Sequence, residues 1–156
     1  MPRKSTKPDK NVYQLKREEA GLSREQASAK LEAVSEDRIE RIELRGATPH
    51  PDEVLLMADG YNDPTLCNYY CAHMCPIGRQ YVPEVKVGDL SQIVLEMLAS
   101  LNRMNASKDH LIEISADCKI EESEMRDFEK IQAELEHISV TIEELQLWAK
   151  KQVIGK

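Results

Sequence analysis

Apolar positions recur at steps of three and four along most of the chain, the spacing that lines one face of a helix. Residues 11–20 read as a first helix with Val12 and either Leu15 or Tyr13 turned inward, and Gly21 ends it. Ser23 followed by Gln26 is a capping pair: the serine oxygen accepts the N–H three residues on, and the glutamine reaches back to the serine N–H. A second helix therefore starts there, with Ala27 and Leu31 on its inner face. The period breaks at EAVS before Ser35 caps a third helix, whose Ile39 and Ile42 repeat at helical spacing. Residues 50–59 make a fourth short helix with Val54, Leu55 and Ala58 inward, stopped by Gly60. Asp63 caps a fifth, with Pro64 at the first helical position, where its missing N–H costs nothing.

Between Pro76 and Gly88 two prolines and two glycines mark a connector. No proline follows Pro83 and no glycine lies between Gly88 and Gly155, so nothing interrupts a pair of long helices. Asp89 with Gln92 opens the first of them, and its apolar positions run Leu90, Ile93 or Val94, Met97, Leu101, Met104, Leu111 and Ser115. The segment ADCKIEESE marks a reversal, with Asp117 as the turn residue. Phe128, Ile131, Leu135, Ile138, Ile142, Leu145 and Ala149 then form a heptad seam on the second. Ile112, Ile114, Val140, Leu147 and Trp148 lie off the seam, so two such helices cover only part of each other's apolar surface. A second copy completing a four-helix bundle would cover the rest, which makes a homodimer the expectation; the other arrangement folds the hairpin back on its own N-terminal domain. The expected organisation is residues 1–62, a cysteine-containing helix and connector over 63–88, and a dimerising hairpin over 89–153.

Two short helices joined by a turn of about four residues make a helix-turn-helix, whose second helix enters the DNA major groove. Stepping about 100° per residue along the Ser35 helix, with Ile39 and Ile42 inward, puts Asp37, Glu40 and Arg41 outward, Arg38 on one flank, and Glu36 and Glu43 on the other. Gly21-Leu22-Ser23, then Ile39-x-Arg41-Ile42-Glu43, Gly46, Pro49 and VLLMAD resemble the phage-repressor-like (XRE-type) helix-turn-helix family over roughly residues 11–60, and Arg17 fits that family's first helix. The resemblance extends, through CNYYC, CPIG and the acidic helical tail, to a subgroup of small regulators with a CxxxCxxxCP segment. It implies a lambda-repressor-like domain, and two departures stand out: an extra residue in the turn at Glu32-Ala33-Val34, where the family has glycine and one apolar residue, and another before Gly46. The candidate DNA-contacting residues are Arg17, Arg24, Gln26, Ser35, Asp37, Arg38, Glu40, Arg41 and Arg45. Arginine pairs with guanine and a carboxylate accepts from the cytosine amino group, although phosphates repel the helix's acidic residues.

Charge narrows the partners. The chain carries 21 Lys and Arg against 28 Asp and Glu, a net −7, which argues against a nonspecific nucleic-acid coat or a membrane-surface binder. Residues 1–66 hold 11 basic and 13 acidic residues, so the excess sits mostly in the tail. Residues 1–10 are basic, either a frayed terminus or an arm that touches phosphates. No apolar core follows MPRKSTKPDK and no run approaches the ~20 apolar residues of a membrane span, so a cytoplasmic protein without a signal peptide is expected.

Cys67, Cys71 and Cys75, with His73 between, are the second unusual feature. On a straight helix Cys67 and Cys75 would stand ~12 Å apart, too far for one ion, but Pro76 pushes Cys75 out of helical conformation. Two thiolates four apart, with Cys75, His73 or Cys118, would make a zinc or iron–sulfur donor set; redox-sensing thiols and plain apolar packing are the other two readings. No P-loop, Gly-x-Ser-x-Gly or HExxH is present, and His50, His73, His110 and His137 are well separated, so catalysis is not expected. The sequence thus reads as an all-α transcriptional regulator binding double-stranded DNA. The alternative is a protein-interaction or metal- and redox-sensing module that keeps a helix-turn-helix without strong DNA binding.

Overall fold

A computed structural model describes residues 10–116 and 120–154, all of its regular structure helical. Residues 1–9 of the basic N-terminal arm, Asp117 of the expected turn and Cys118 lie outside the described residues. The described residues form two compact units, those within 1–85 and 150–156 and those within 86–149.

The first unit begins with α1 (Val12–Glu19), α2 (Arg24–Leu31), α3 (Glu36–Leu44) and α4 (Pro51–Gly60). Local chemistry fixes where each starts. Asn11 Oδ1 accepts the Gln14 N–H at 2.9 Å, Ser35 Oγ that of Arg38 at 3.2 Å, and Ser23 and Gln26 exchange both bonds of a capping box at 3.1 and 2.9 Å. Pro51 opens α4, where the carboxylate of Glu53 accepts the His50 N–H at 2.7 Å. Gly21 (φ +73°) and Gly46 (φ +68°) supply the left-handed residues after α1 and α3, a region that glycine enters at little cost.

The core gathers Ala27 and Leu31 from α2, Ile39 and Ile42 from α3, and Val54 and Met57 from α4, all buried. One open choice is decided, in favour of Tyr13 over Leu15, and one expected inward position is corrected. Leu15 is 42% exposed while its neighbours Tyr13, Gln14 and Arg17 are buried, and Leu55 is 63% exposed while Met57 and Gly60 turn in. A Cβ at Gly60 would run into the end of the Leu31 side chain, so a larger residue there needs Leu31 to shift within the core.

α5 (Thr65–His73) and α6 (Gly78–Tyr81) complete the first unit. Leu66 is fully buried in the same core, so the cysteine helix is part of this unit rather than a separate segment. Asp63 caps α5 from two residues before it, accepting from Thr65 N–H and Oγ–H. The expected connector holds a short helix, α6. Asn68 secures the chain beyond it by donating to the Pro83 carbonyl (3.0 Å) and accepting the Val85 N–H (2.9 Å).

The second unit is made by α7 (Leu90–Ser115) and most of α8 (Met125–Ile154). Asp89 caps α7 through the Gln92 N–H at 3.0 Å. Arg103 pairs with Glu134 (2.8 Å) and His110 approaches Asp127 (3.4 Å), so partner numbers fall along α8 as they rise along α7. The expected seam splits. On α8 Ile131 and Thr141 are buried, whereas Leu135 (46%) and Ile142 (43%) are exposed; on α7 Ser100 is buried in place of Leu101, and Ile114 and Leu147, expected off the seam, are buried as well.

Candidate nucleic-acid interface

α2 and α3 are joined by residues 32–35, and the turn is tighter than its composition suggests. Glu32 adopts φ 55°, ψ −48°, and the Ala33 N–H bonds back to the Leu31 carbonyl, a γ-turn in a conformation that side chains rarely occupy. Glutamate thus stands where glycine would fit without strain. Val34 tucks into the core immediately after, and Ser35 caps α3.

α3 presents Glu36, Asp37, Arg41 and Leu44 to solvent, with Glu40 half-buried and Arg45 exposed just past its end. The five candidate arginines occupy three different environments, and each meets a carboxylate. Arg17 is buried; its Nε and Nη2 donate to Glu43 at 2.6 and 2.8 Å, and its Nη1 donates to the Leu22 carbonyl at 2.7 Å. A guanidinium so occupied holds the fold and has no reach to a phosphate, which corrects its assignment as a DNA contact. Arg24, half-buried, donates to the second Glu43 oxygen at 2.9 Å. Arg38 forks onto Glu53 at 2.7 and 2.8 Å and also reaches the Thr48 carbonyl at 3.1 Å, tying α3 to the start of α4.

Arg41 and Arg45 differ. Their pairs with Asp37 and Glu40, each 2.8 Å, lie at the surface, where side chains remain 54% and 61% exposed for the two arginines. Such pairs hold by roughly 1 kcal/mol or less and exchange readily for another anion. Gln26 spends its carbonyl oxygen on the Ser23 N–H, so its amide is the group left to project, and Ser35 Oγ is committed to its cap.

Glu43 was expected on an outer flank and is instead buried, the shared acceptor of two arginines. Its signal was present in the spacing, since position 43 is four beyond Ile39 and shares its inward face. Burial opposes the Arg17 charge, but the bonds to Glu43 outweigh it and hold the guanidinium charged. The bond from Arg38 likewise keeps the Glu53 carboxyl below the usual range. Tyr61 lies near the same cluster, its buried hydroxyl without a hydrogen-bond partner and its ionisation pushed up by burial and by the Glu43 charge.

The cysteines sit elsewhere on the first unit. Cys67 and Cys71 lie on α5, and Cys75 follows its C-cap Met74, where its Sγ accepts the Gly78 N–H at 3.4 Å. His73 approaches Glu84 (3.3 Å) and stacks beside Tyr69. Among the described residues no three His, Cys, Asp or Glu side chains gather as a metal ion needs, so the zinc or iron–sulfur expectation at Cys67, Cys71 and Cys75 finds no donor set there. Burial pushes the Cys67 thiol up, with Cys71 adding to the shift, the opposite of what a reactive thiolate requires. Among the described residues no helix is long and apolar enough to cross a membrane. Comparison with known proteins finds no matching family model, no matching curated protein and no matching solved structure.

Proposed function

We propose that the chain is a DNA-binding transcriptional regulator: a lambda-repressor-like helix-turn-helix domain that reads the major groove with α3, followed by a long antiparallel helical hairpin that pairs two copies. The observation carrying this reading is the division of labour on α3. Ile39, Ile42 and Glu43 lock the helix onto the domain, while Arg41 and Arg45 stand exposed in weak pairs that a phosphate or a guanine edge can replace. Two copies would present two such helices to half-sites about one helical turn apart.

A gel-shift against genomic fragments at moderate salt tests it. At least one fragment is expected to bind better than bulk DNA, and Arg41→Ala or Arg45→Ala to weaken that binding; a residue on phosphate lowers the salt slope by about 1, a residue on a base edge relaxes specificity instead. If no fragment exceeds bulk DNA, the reading fails.

One observation favours a second reading. With Glu36, Asp37 and Glu40 on the same helix and a carboxylate beside every candidate arginine, α3 also suits a basic surface on a protein partner. Binding to no DNA, with retention of a stable fold, would move the assignment to that class.

A further inference from the structure

The second unit has two unlike sides. The inward stripe of α7 runs through Ile93, Ser100 and Ile114, and that of α8 through Ile131 and Thr141. Stepping around each helix from these stripes, one flank carries Glu96, Arg103 and His110 on α7 and Lys130, His137 and Glu144 on α8. The Glu144 carboxyl is raised there, by burial first and by Glu96 second, so that flank is closely charged.

The opposite flank takes positions 94 to 112 on α7 and 128 to 149 on α8, at alternating steps of four and three. Only Lys108 among them is charged, in a chain where 31% of residues are. Its middle is uncharged and sets four open apolar side chains among Asn105, Gln132 and Ser139: Leu98 is 49% exposed, Leu101 45%, Leu135 46% and Ile142 43%. The Arg103–Glu134 and His110–Asp127 pairings fix the register, placing Leu101 level with Leu135 and Leu98 level with the turn before Ile142.

We propose that this face is where two copies of the chain pair, Leu98, Leu101, Leu135 and Ile142 of each burying against the same four residues of the other in a four-helix bundle. The inference deepens the pairing part of the function proposed above and rests on it. Twofold pairing brings residues near the axis against their own copies, so any charge there repels itself; a face whose centre has none is what such pairing requires. Lys108 sits about 10 Å along the helix from Leu101, so across an antiparallel axis at Leu101 its copy lies about 20 Å away, beyond the screening length in physiological salt. Area agrees as well. The face spans positions 94 to 112 and 128 to 149, about 30 Å along the helices, and two helices side by side, about 20 Å across, make a strip of roughly 600 Å², the lower end of one partner's share of a standard stable interface.

Sedimentation equilibrium of the full chain tests this, with far-UV circular dichroism as the check on folding. The wild type is expected at twice its 17.8 kDa, and the pair Leu101→Glu with Leu135→Glu at the monomer mass. Mixing that variant with Leu101→Lys, Leu135→Lys is expected to restore the doubled mass, a gain that a merely unfolded variant would not give. A monomeric wild type overturns the pairing altogether. A glutamate variant that stays dimeric, or a mixture that stays monomeric, overturns this face while leaving DNA reading and pairing through another surface standing.

Discussion

The Glu43 side chain lies almost out of reach of water, bonded by Arg17 on one side and Arg24 on the other. Glu43→Gln keeps the size and one acceptor but leaves the Arg17 charge buried without its counterion, and breaking a buried pair from one side costs about 3–5 kcal/mol. The urea midpoint should fall accordingly, whereas Arg17→Met combined with Glu43→Leu should lose less than the two single changes added together, because the charge left behind is that of the half-exposed Arg24 and not that of a buried Arg17. Asp63 gives a pH-dependent counterpart. Burial raises its carboxyl, but bonds from Thr65 and Lys16 outweigh that and hold it below the ordinary value. A depressed carboxylate contributes stability at neutral pH that disappears as pH falls through its folded value. Asp63→Asn should therefore unfold at lower urea than wild type at pH 7, and the gap should close as the pH drops below about 4.

Among the elements, α6 shows how a contact far along the chain decides a local conformation. Gly78 opens this single turn, and a Cβ there would collide with the backbone of Cys71 on α5, at the carbonyl oxygen and the Cα. Backbone cannot swing aside as a long side chain can. Gly78→Ala should destabilise the first unit by about 1–3 kcal/mol, read as a lower thermal midpoint with α1 to α4 otherwise intact. The same contact explains why the segment from Pro76 to Gly88 reads as plain connector: its prolines and glycines are visible in sequence, while the α5 surface they close on is not. Helix starts were legible because Ser23, Ser35 and Asp89 act on N–H groups three residues away. Inward faces were legible only where neighbours agree. Leu15 and Leu55 fit a helical stripe as well as Tyr13 and Met57 do, and the choice is made by which other helices cover them. Arg17 looked like a DNA contact for the same reason, since its partner lies 26 residues on. On α8 the seam from Phe128 to Ala149 combined two adjacent stripes, one buried at Ile131 and one open at Leu135 and Ile142.

At the scale of the whole molecule, the proposed pairing links folding to concentration. The second unit rests on two long helices whose shared seam is thin, with Ser100 and Thr141 among its buried residues, while several leucines stay outside. Serine and threonine contribute little apolar area, so the seam alone leaves these helices weakly held, and burial of the outer leucines at roughly 25 cal/mol per Å² would supply what it lacks. Stabilisation that comes from a second copy follows mass action, growing with the logarithm of protein concentration. The helical signal of the wild type should therefore melt several degrees higher when the concentration is raised a hundredfold. The Leu101→Glu, Leu135→Glu variant should melt at one temperature across that range, and a wild type that did the same would mean that its long helices are held without a second copy.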